Sequence, residues 1–128
     1  MKNLLFIFIF PTFCFAQDYV WEDKCNLDQY NMNICTGEMH RFYDKELNRL
    51  YSIQMKHLQT ETRKKYFKDA QLAWIRFRDK DCTYSVGKRE DSGSIWPAAH
   101  KSCLTERTKT RVMELQRYVA CRDNGCPY

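Results

Sequence analysis

The histidines and acidic residues are the side chains whose chemistry could support catalysis or metal binding, and their spacing favours neither. His40, His57 and His100 are scattered along the chain, without the short spacing typical of metal ligands. Asp79 and Asp81 would lie about 200° apart on a helix, so they cannot act as an acid–base pair. The chain has no glycine-rich phosphate loop and no nucleophile next to a base. We therefore expect a protein that is not an enzyme and that has no cofactor or metal.

The first 16 residues have the order of charge, apolar run and small residue that is typical of a secretory signal peptide. Lys2 is followed by an apolar run over residues 4–10 and later by Ala16, after which the chain becomes polar. The run is too short to span a membrane, so we expect cleavage after Ala16 and no membrane insertion of the mature chain. Cys14 offers the alternative of a lipid anchor, which the bulky Phe13 before it disfavours.

The mature chain, residues 17–128, is expected to be a single periplasmic or secreted domain. Cleavage removes Lys2 and Cys14 from the 21 basic residues and seven cysteines, which leaves a net charge of +4 and six cysteines. An even number of cysteines in a short exported chain predicts a framework of three disulfides. The basic residues alternate with acidic ones, as on a solvated helix face, so we do not expect nucleic acid as a partner.

The stretch QLAWIRFRDKDC over residues 71–82 predicts the central helix of the fold. At helical spacing Gln71, Trp74, Phe77 and Arg78 lie on one face, with Cys82 at its rim. Trp74 and Phe77 are the large apolar groups of this face. Such an aromatic stripe usually packs in a core. Leu72 lies nearly opposite Trp74 and is expected to face away from the core.

Two helices are predicted from apolar residues that recur every three or four positions. The first should span about residues 38–59, with Thr36 and Gly37 at its start. The second should span about residues 61–84, capped by Thr60. Its expected inner stripe is Phe67, Ala70, Trp74 and Phe77. The short connection predicts that the two helices are antiparallel neighbours.

A third helix is predicted after a polar segment, SVGKREDSGSIW, which covers residues 85–96 and shows no periodicity. This segment should be a surface loop. The helix should span about residues 97–119, with Ser94 as its cap and Pro97 tolerated in its first turn. Its expected inner stripe is Leu104, Val112, Leu115 and Val119. The predicted fold is therefore an all-α, three-helix antiparallel bundle cross-linked by about three disulfides.

The six mature cysteines could pair in 15 ways. A local loop or short helical turn closed by Cys25 and Cys35 is favoured, because the residues around them are typical of turns and caps. The competing arrangement joins one of these two to Cys121 or Cys126.

A larger pattern resembles the LprI-type lysozyme inhibitors, which are small exported helical proteins of bacteria. The resemblance extends from Cys25 to about Tyr118 and rests on these residues: Cys25, Cys35, Leu47, Asn48, Leu50, Tyr51, Gln71, Trp74, Arg78, Asp79, Cys82, Gly93, Ser94, Cys103, Thr108, Arg111 and Leu115. It implies a helical, disulfide-linked fold and binding to a lysozyme. With the closeness of the cysteines in sequence, it favours the pairs Cys25–Cys35, Cys82–Cys103 and Cys121–Cys126. Cys121 and Cys126 lie outside the family pattern, and a single glycine precedes Ser94 where two are common.

The loop before the third helix is the expected contact surface for a lysozyme. It carries cationic, hydroxyl and aromatic side chains: Lys88, Arg89, Ser92, Ser94 and Trp96. Lysozyme has two carboxylates in a cleft, which such donors could reach through charge-assisted hydrogen bonds. Net charge opposes this, since many lysozymes are basic. The rival hypothesis is an interaction or immunity-type module that binds another envelope partner without catalysis.

Overall fold

The computed structural model describes Cys25, residues 28–123 and residues 125–126. Three long helices dominate this part of the chain: α1 (Gln29–His57), α2 (Glu61–Val86) and α3 (Trp96–Ala120). A short 3-10 turn, Arg89–Asp91, lies between α2 and α3. No strand occurs among the described residues. The all-α, three-helix prediction is confirmed.

The helices α1 and α3 run parallel and form the most extensive interface of the bundle. At their amino-terminal ends, the Ser94 hydroxyl donates to Oε1 of Gln29 at 3.4 Å. At their carboxyl-terminal ends, Nη1 of Arg122 donates to Oε1 of Gln54 at 3.2 Å. The central cluster of buried residues comes from these two helices: Tyr43, Leu47, Leu50, Val112 and Leu115. Burial of such apolar side chains is the main stabilising contribution to a bundle of this kind.

The helix α2 runs antiparallel to both and packs on α3 over a smaller interface. Its middle contacts the middle of α3, where Nε of Arg111 donates to Oε1 of Gln71 at 3.1 Å. Side chains also link α2 to α1, since the rings of Tyr51 and Phe67 stack with centroids 4.9 Å apart. The predicted neighbours α1 and α2 are thus antiparallel, but α3 provides the main contact surface for both.

The start of α1 corrects the sequence-based prediction, because the helix begins at Gln29 rather than near residue 38. Asp28 is the cap, and its carboxylate accepts hydrogen bonds from the backbone and side-chain nitrogens of Asn31, which lower the pKa of this carboxyl. Thr36, the expected start, lies inside the helix and donates to the carbonyl of Met32 at 2.8 Å. Such a bond satisfies the hydroxyl without ending the helix.

The predicted cap of α2 is confirmed, whereas part of its predicted inner face is wrong. The Thr60 hydroxyl accepts a hydrogen bond from the backbone N–H of Arg63 at 3.2 Å. Phe77, however, is 58 % exposed, and Ala70 is also exposed. Because α2 contacts the bundle along a narrow strip, Phe77, about 60° around the axis from Trp74, falls outside it.

Three cysteine pairs lie at disulfide-bonding distance: Cys25–Cys35, Cys82–Cys103 and Cys121–Cys126. The second pair joins α2 to α3 with a Cα–Cα distance of 5.7 Å. Cys35 lies within α1, so the first bridge fixes the chain before α1 to a side of that helix rather than closing a free loop. The competing arrangement, in which Cys25 or Cys35 pairs with Cys121 or Cys126, does not occur.

Candidate protein-interaction site

The loop between α2 and α3, residues 87–95, is held at both of its ends. Gly87 ends α2 with a φ of +82°, a conformation that favours glycine. Nε1 of Trp96, the first residue of α3, donates to the Gly87 carbonyl at 3.0 Å. The Cys82–Cys103 disulfide links the same two helices nearby. The loop is therefore preorganised by one covalent bond and one hydrogen bond across its base.

Trp96 supports the loop from beneath, which corrects its predicted position within the loop. Its ring stacks on His100 with centroids 4.4 Å apart and an interplanar angle of 11°. The Arg89 guanidinium carbon lies over the Trp96 ring, 5.9 Å from its centroid. This is within the range of a cation–π interaction. Trp96 is half-buried and thus positions Arg89.

The exposed tip of the loop carries balanced charge. Lys88 and Arg89 are exposed, and so are the next two residues, Glu90 and Asp91. The tip therefore presents two cationic donors without adding net positive charge. A charge-balanced segment is repelled less by a basic partner than a purely cationic one would be.

The two predicted loop serines differ in their availability to a partner. Ser92 is half-buried, and its Oγ lies 3.4 Å from where a Cβ at Gly87 would be. Ser94 is exposed, but it is not the predicted helix cap: Ile95 occupies the cap position without a side-chain hydrogen bond. The Ser94 hydroxyl instead reaches Gln29 on α1. Of the five predicted contact residues, Lys88 and Arg89 are the two that lie together on the exposed tip.

A seam of arginine, tryptophan and glutamine joins α2 to α3, and we call it the Trp74 seam. The Trp74 ring centroid lies 5.2 Å from the Arg78 guanidinium carbon and 5.9 Å from that of Arg111. Arg78 also approaches the Thr108 hydroxyl at 3.5 Å. Family-pattern residues of α2 and α3 therefore meet at this seam: Gln71, Trp74, Arg78, Thr108 and Arg111. They hold the helices together, which is a structural role.

Two acidic residues of α2 each pair with an arginine instead of with each other. Asp79 pairs with the neighbouring Arg78 at 2.8 Å, and Asp81 pairs with Arg107 of α3 at 2.7 Å. Both carboxylates are thus in ion pairs, and the pair between Asp81 and Arg107 links α2 to α3. No group of three histidine, cysteine or acidic residues suited to a metal ion occurs among the described residues.

His40 and His100 lie near two cations at the end of the bundle that carries the loop. Burial lowers the pKa of both imidazoles, and Lys101 and Arg78 lower them further. Asp44 acts in the opposite direction on His40, and His100 is a further small contributor to its lowered pKa. The neutral forms are therefore favoured in the folded protein.

Acidification should destabilise the protein through His40. Because its folded-state pKa is below the unfolded value, its contribution to stability is complete above about pH 6.5 and is lost as the pH falls through the folded-state pKa. We expect His40→Gln to lose less stability than the wild-type chain between about pH 7 and pH 5. Urea unfolding of each protein at both pH values measures this difference. An equal loss in the two proteins would contradict it.

An exposed aromatic stripe on α2 was not predicted from the sequence. Tyr66, Phe77 and Tyr84 are 63 %, 58 % and 90 % exposed. They are spaced 11 and 7 residues apart, so they lie within about 20° of one another around the helix axis. We call these three residues the α2 stripe. The spacing could have revealed it, but Phe77 was assigned to the core. Leu72, also exposed, lies on a different side of the helix.

A cavity of about 300 Å³ lies near the opposite end of the bundle from the loop. It is lined by residues of all three helices and of the α1–α2 connection: Gln54, Leu58, Arg63, Tyr66, Phe67, Ala70, Arg111 and Tyr118. Its walls are largely aromatic and aliphatic, with two arginines. Tyr66 and Ala70 line it from α2, so the α2 stripe begins at its edge.

These features define a small, disulfide-linked protein that is helical throughout its described elements. No described helix has the length and apolar character needed to cross a membrane. The chain belongs to the LprI family: the family model described as "Lysozyme inhibitor LprI" matches residues 23–115. The resemblance found in the sequence is thus confirmed.

A curated relative extends the comparison without adding a function. The chain is 29% identical over 110 residues to an uncharacterized protein of Rhizobium meliloti, and the match covers 77% of this chain and 78% of that protein. No solved structure matches this chain significantly.

Proposed function

We propose that this protein is exported by the signal peptide predicted in residues 1–16, and that it binds a lysozyme and blocks peptidoglycan hydrolysis. The membership of the LprI family, whose description is that of a lysozyme inhibitor, supports this function. The mature domain, residues 17–128, would then act outside the cytosol, where its disulfides are stable.

The observation that carries the proposal is that the loop at residues 87–95 is held in place at its base. Its base is closed by the Trp96–Gly87 hydrogen bond, and Arg89 lies against the Trp96 ring. A loop that is already ordered loses little conformational entropy when it binds. Lys88 and Arg89 on its tip can donate charge-assisted hydrogen bonds to carboxylates in a lysozyme cleft.

The double variant Lys88→Ala/Arg89→Ala should lose inhibition while it remains folded. We expect the inhibition constant to rise roughly tenfold or more. A tenfold change in this constant corresponds to about 1.4 kcal/mol of binding free energy, and a charge-assisted hydrogen bond contributes on that order. Both side chains are exposed, so folding should be unaffected. The measurement is peptidoglycan lysis by animal-type and bacterial lysozymes at increasing concentrations of each variant.

A matched control removes the same charge at the far end of the bundle. Lys56→Ala/Lys68→Ala replaces two exposed cations near the α1–α2 connection. This control should inhibit as the wild type does. Equal losses in the two double variants would mean that net charge matters and the loop does not. A reduced and alkylated sample shows whether inhibition requires the disulfide-linked fold.

A second candidate function is binding to another envelope partner without any effect on lysozyme, and the α2 stripe favours it. Three exposed aromatic side chains on one helix face resemble the anchor residues of protein interfaces. Under this alternative, the folded wild-type protein at large molar excess leaves lysozyme turnover unchanged. If lysozyme is inhibited, Phe77→Ala/Tyr84→Ala distinguishes the two surfaces, since it should retain inhibition when the loop is the contact.

A further inference from the structure

The cavity at the end of the bundle away from the loop has walls formed by aromatic rings that contact one another. Phe67 is fixed by its stack on Tyr51 and by an edge contact to Tyr118, whose ring centroid is 6.5 Å away. Tyr66 and Ala70 complete the side formed by α2. Flat aromatic faces held in place by other rings suit a planar or ring-shaped apolar group.

A buried arginine lines the same cavity with its guanidinium already oriented. Nε of Arg111 donates to Oε1 of Gln71 at 3.1 Å, and Nη1 donates to Oε2 of Glu114 at 2.7 Å. Its side chain is only 10 % exposed. No hydrogen bond within the described part of the chain uses Nη2. An arginine held in this way needs no further ordering before it binds an anion.

A second arginine, Arg63, lies at the rim, and the balance of charge around the cavity is positive. Arg63 is exposed and forms no ion pair with any described residue. Arg122 contacts the cavity residue Gln54 from the other side. Glu114, the partner of Arg111, is the acidic group that offsets one of these charges. An anionic ligand would therefore be attracted.

We propose that this cavity binds a compound in which a carboxylate is attached to a ring with an apolar face. The carboxylate would lie between Arg63 and Nη2 of Arg111, and the ring would pack on Tyr66, Phe67 and Tyr118. A sugar acid and an aromatic acid share this chemistry, since an aromatic side chain can stack on either ring. The site lies away from the 87–95 loop, so the proposal does not depend on lysozyme binding.

The test is binding of small acids and of their neutral counterparts to the mature, oxidised protein. The probes are N-acetylmuramic acid, with N-acetylglucosamine as its counterpart lacking the lactyl group that carries the carboxylate, and phenylacetate with phenylacetamide. We expect an acid to bind at millimolar concentration and its neutral counterpart to bind at least tenfold more weakly, as for loss of a charge-assisted hydrogen bond. Isothermal titration calorimetry and NMR chemical-shift changes of the tyrosine rings measure this. The two pairs of probes show whether the cavity prefers a sugar acid or an aromatic acid.

Three variants connect the binding to this cavity. Arg63→Ala should weaken binding of the acid roughly tenfold, and Ala70→Trp should abolish it by filling the cavity. Arg76→Ala removes an exposed cation from the same helix outside the cavity and should bind as the wild type does. All three positions are exposed, and circular dichroism checks that each variant is folded. Failure of both acids to bind the wild type, or equal weakening by Arg63→Ala and Arg76→Ala, would overturn the proposal. Lysozyme inhibition, measured separately, is expected to remain in Ala70→Trp.

Discussion

Replacement of Trp74 by alanine is expected to lower the free energy of unfolding by about 3 kcal/mol, toward the lower end of the range for aromatic residues removed from a core. Trp74 packs against the central cluster and lies within cation–π distance of both Arg78 and Arg111. The variant removes a large contact area and leaves two guanidinium groups without the ring that they cover. Because α2 has few other buried side chains, its attachment to α3 should weaken most.

The matched control is Leu72→Ala, two residues away on the same helix. Leu72 is 43 % exposed and faces away from the seam, so its replacement should change stability by less than about 0.5 kcal/mol. Equilibrium unfolding in urea, followed by far-ultraviolet circular dichroism, measures both effects. Amide hydrogen exchange should show faster opening of α2 than of α1 in Trp74→Ala. A similar small effect of both substitutions would show that the Trp74 seam does not hold α2.

The sequence predicted which residues of α2 share a face more accurately than it predicted what that face contacts. Helical spacing placed Gln71, Trp74 and Arg78 together, and the structure confirms that they face the bundle. Their partners, Thr108 and Arg111, lie 30 or more residues further along the chain. A single sequence contains no periodic signal for contacts at such separations. The family resemblance contained both sets of residues, but not their contact.

The sequence-based prediction missed the starts of helices where residues with the composition of a cap do not act as one. Thr36 and Gly37 have the composition of a helix start, yet α1 begins at Gln29 because Asp28 caps it and Cys35 faces the core. Ser94 has the composition of a cap as well, yet its hydroxyl bonds to Gln29 of another helix. The Thr36 hydroxyl is satisfied by a carbonyl within its own helix, whereas the Ser94 bond depends on the tertiary structure.

The candidate interaction features were predictable to different degrees for the same reason. The 87–95 loop was visible in the sequence because it lacks periodicity, although the support from Trp96 was not. The α2 stripe was hidden because aromatic residues at helical spacing usually belong to a core. The cavity could not be predicted, because its lining comes from three helices and depends on their distances.

Removal of the disulfide between α2 and α3 by the double substitution Cys82→Ala/Cys103→Ala should destabilise the protein by about 3 kcal/mol in the chain-entropy model, in which longer closed loops contribute more. The two cysteines are separated by 21 positions, and Cys82 is fully buried, so lost packing adds to the entropic effect. The control Cys121→Ala/Cys126→Ala opens a loop with a separation of 5 and should cost about 2 kcal/mol. Urea unfolding of both variants, each with its remaining disulfides intact, measures the difference.

The same pair of variants tests whether the loop acts through its preorganisation. The Cys82–Cys103 bond and the Trp96–Gly87 hydrogen bond both close the base of the 87–95 loop, whereas Cys121–Cys126 lies at the other end of the bundle. If an ordered loop inhibits lysozyme, Cys82→Ala/Cys103→Ala should inhibit more weakly than the control even under conditions where both are fully folded, because binding must then order the loop. Equal inhibition by the two folded variants would show that the bridge stabilises the fold without tuning the loop. The proposed contact at Lys88 and Arg89 would then depend on the Trp96 support alone.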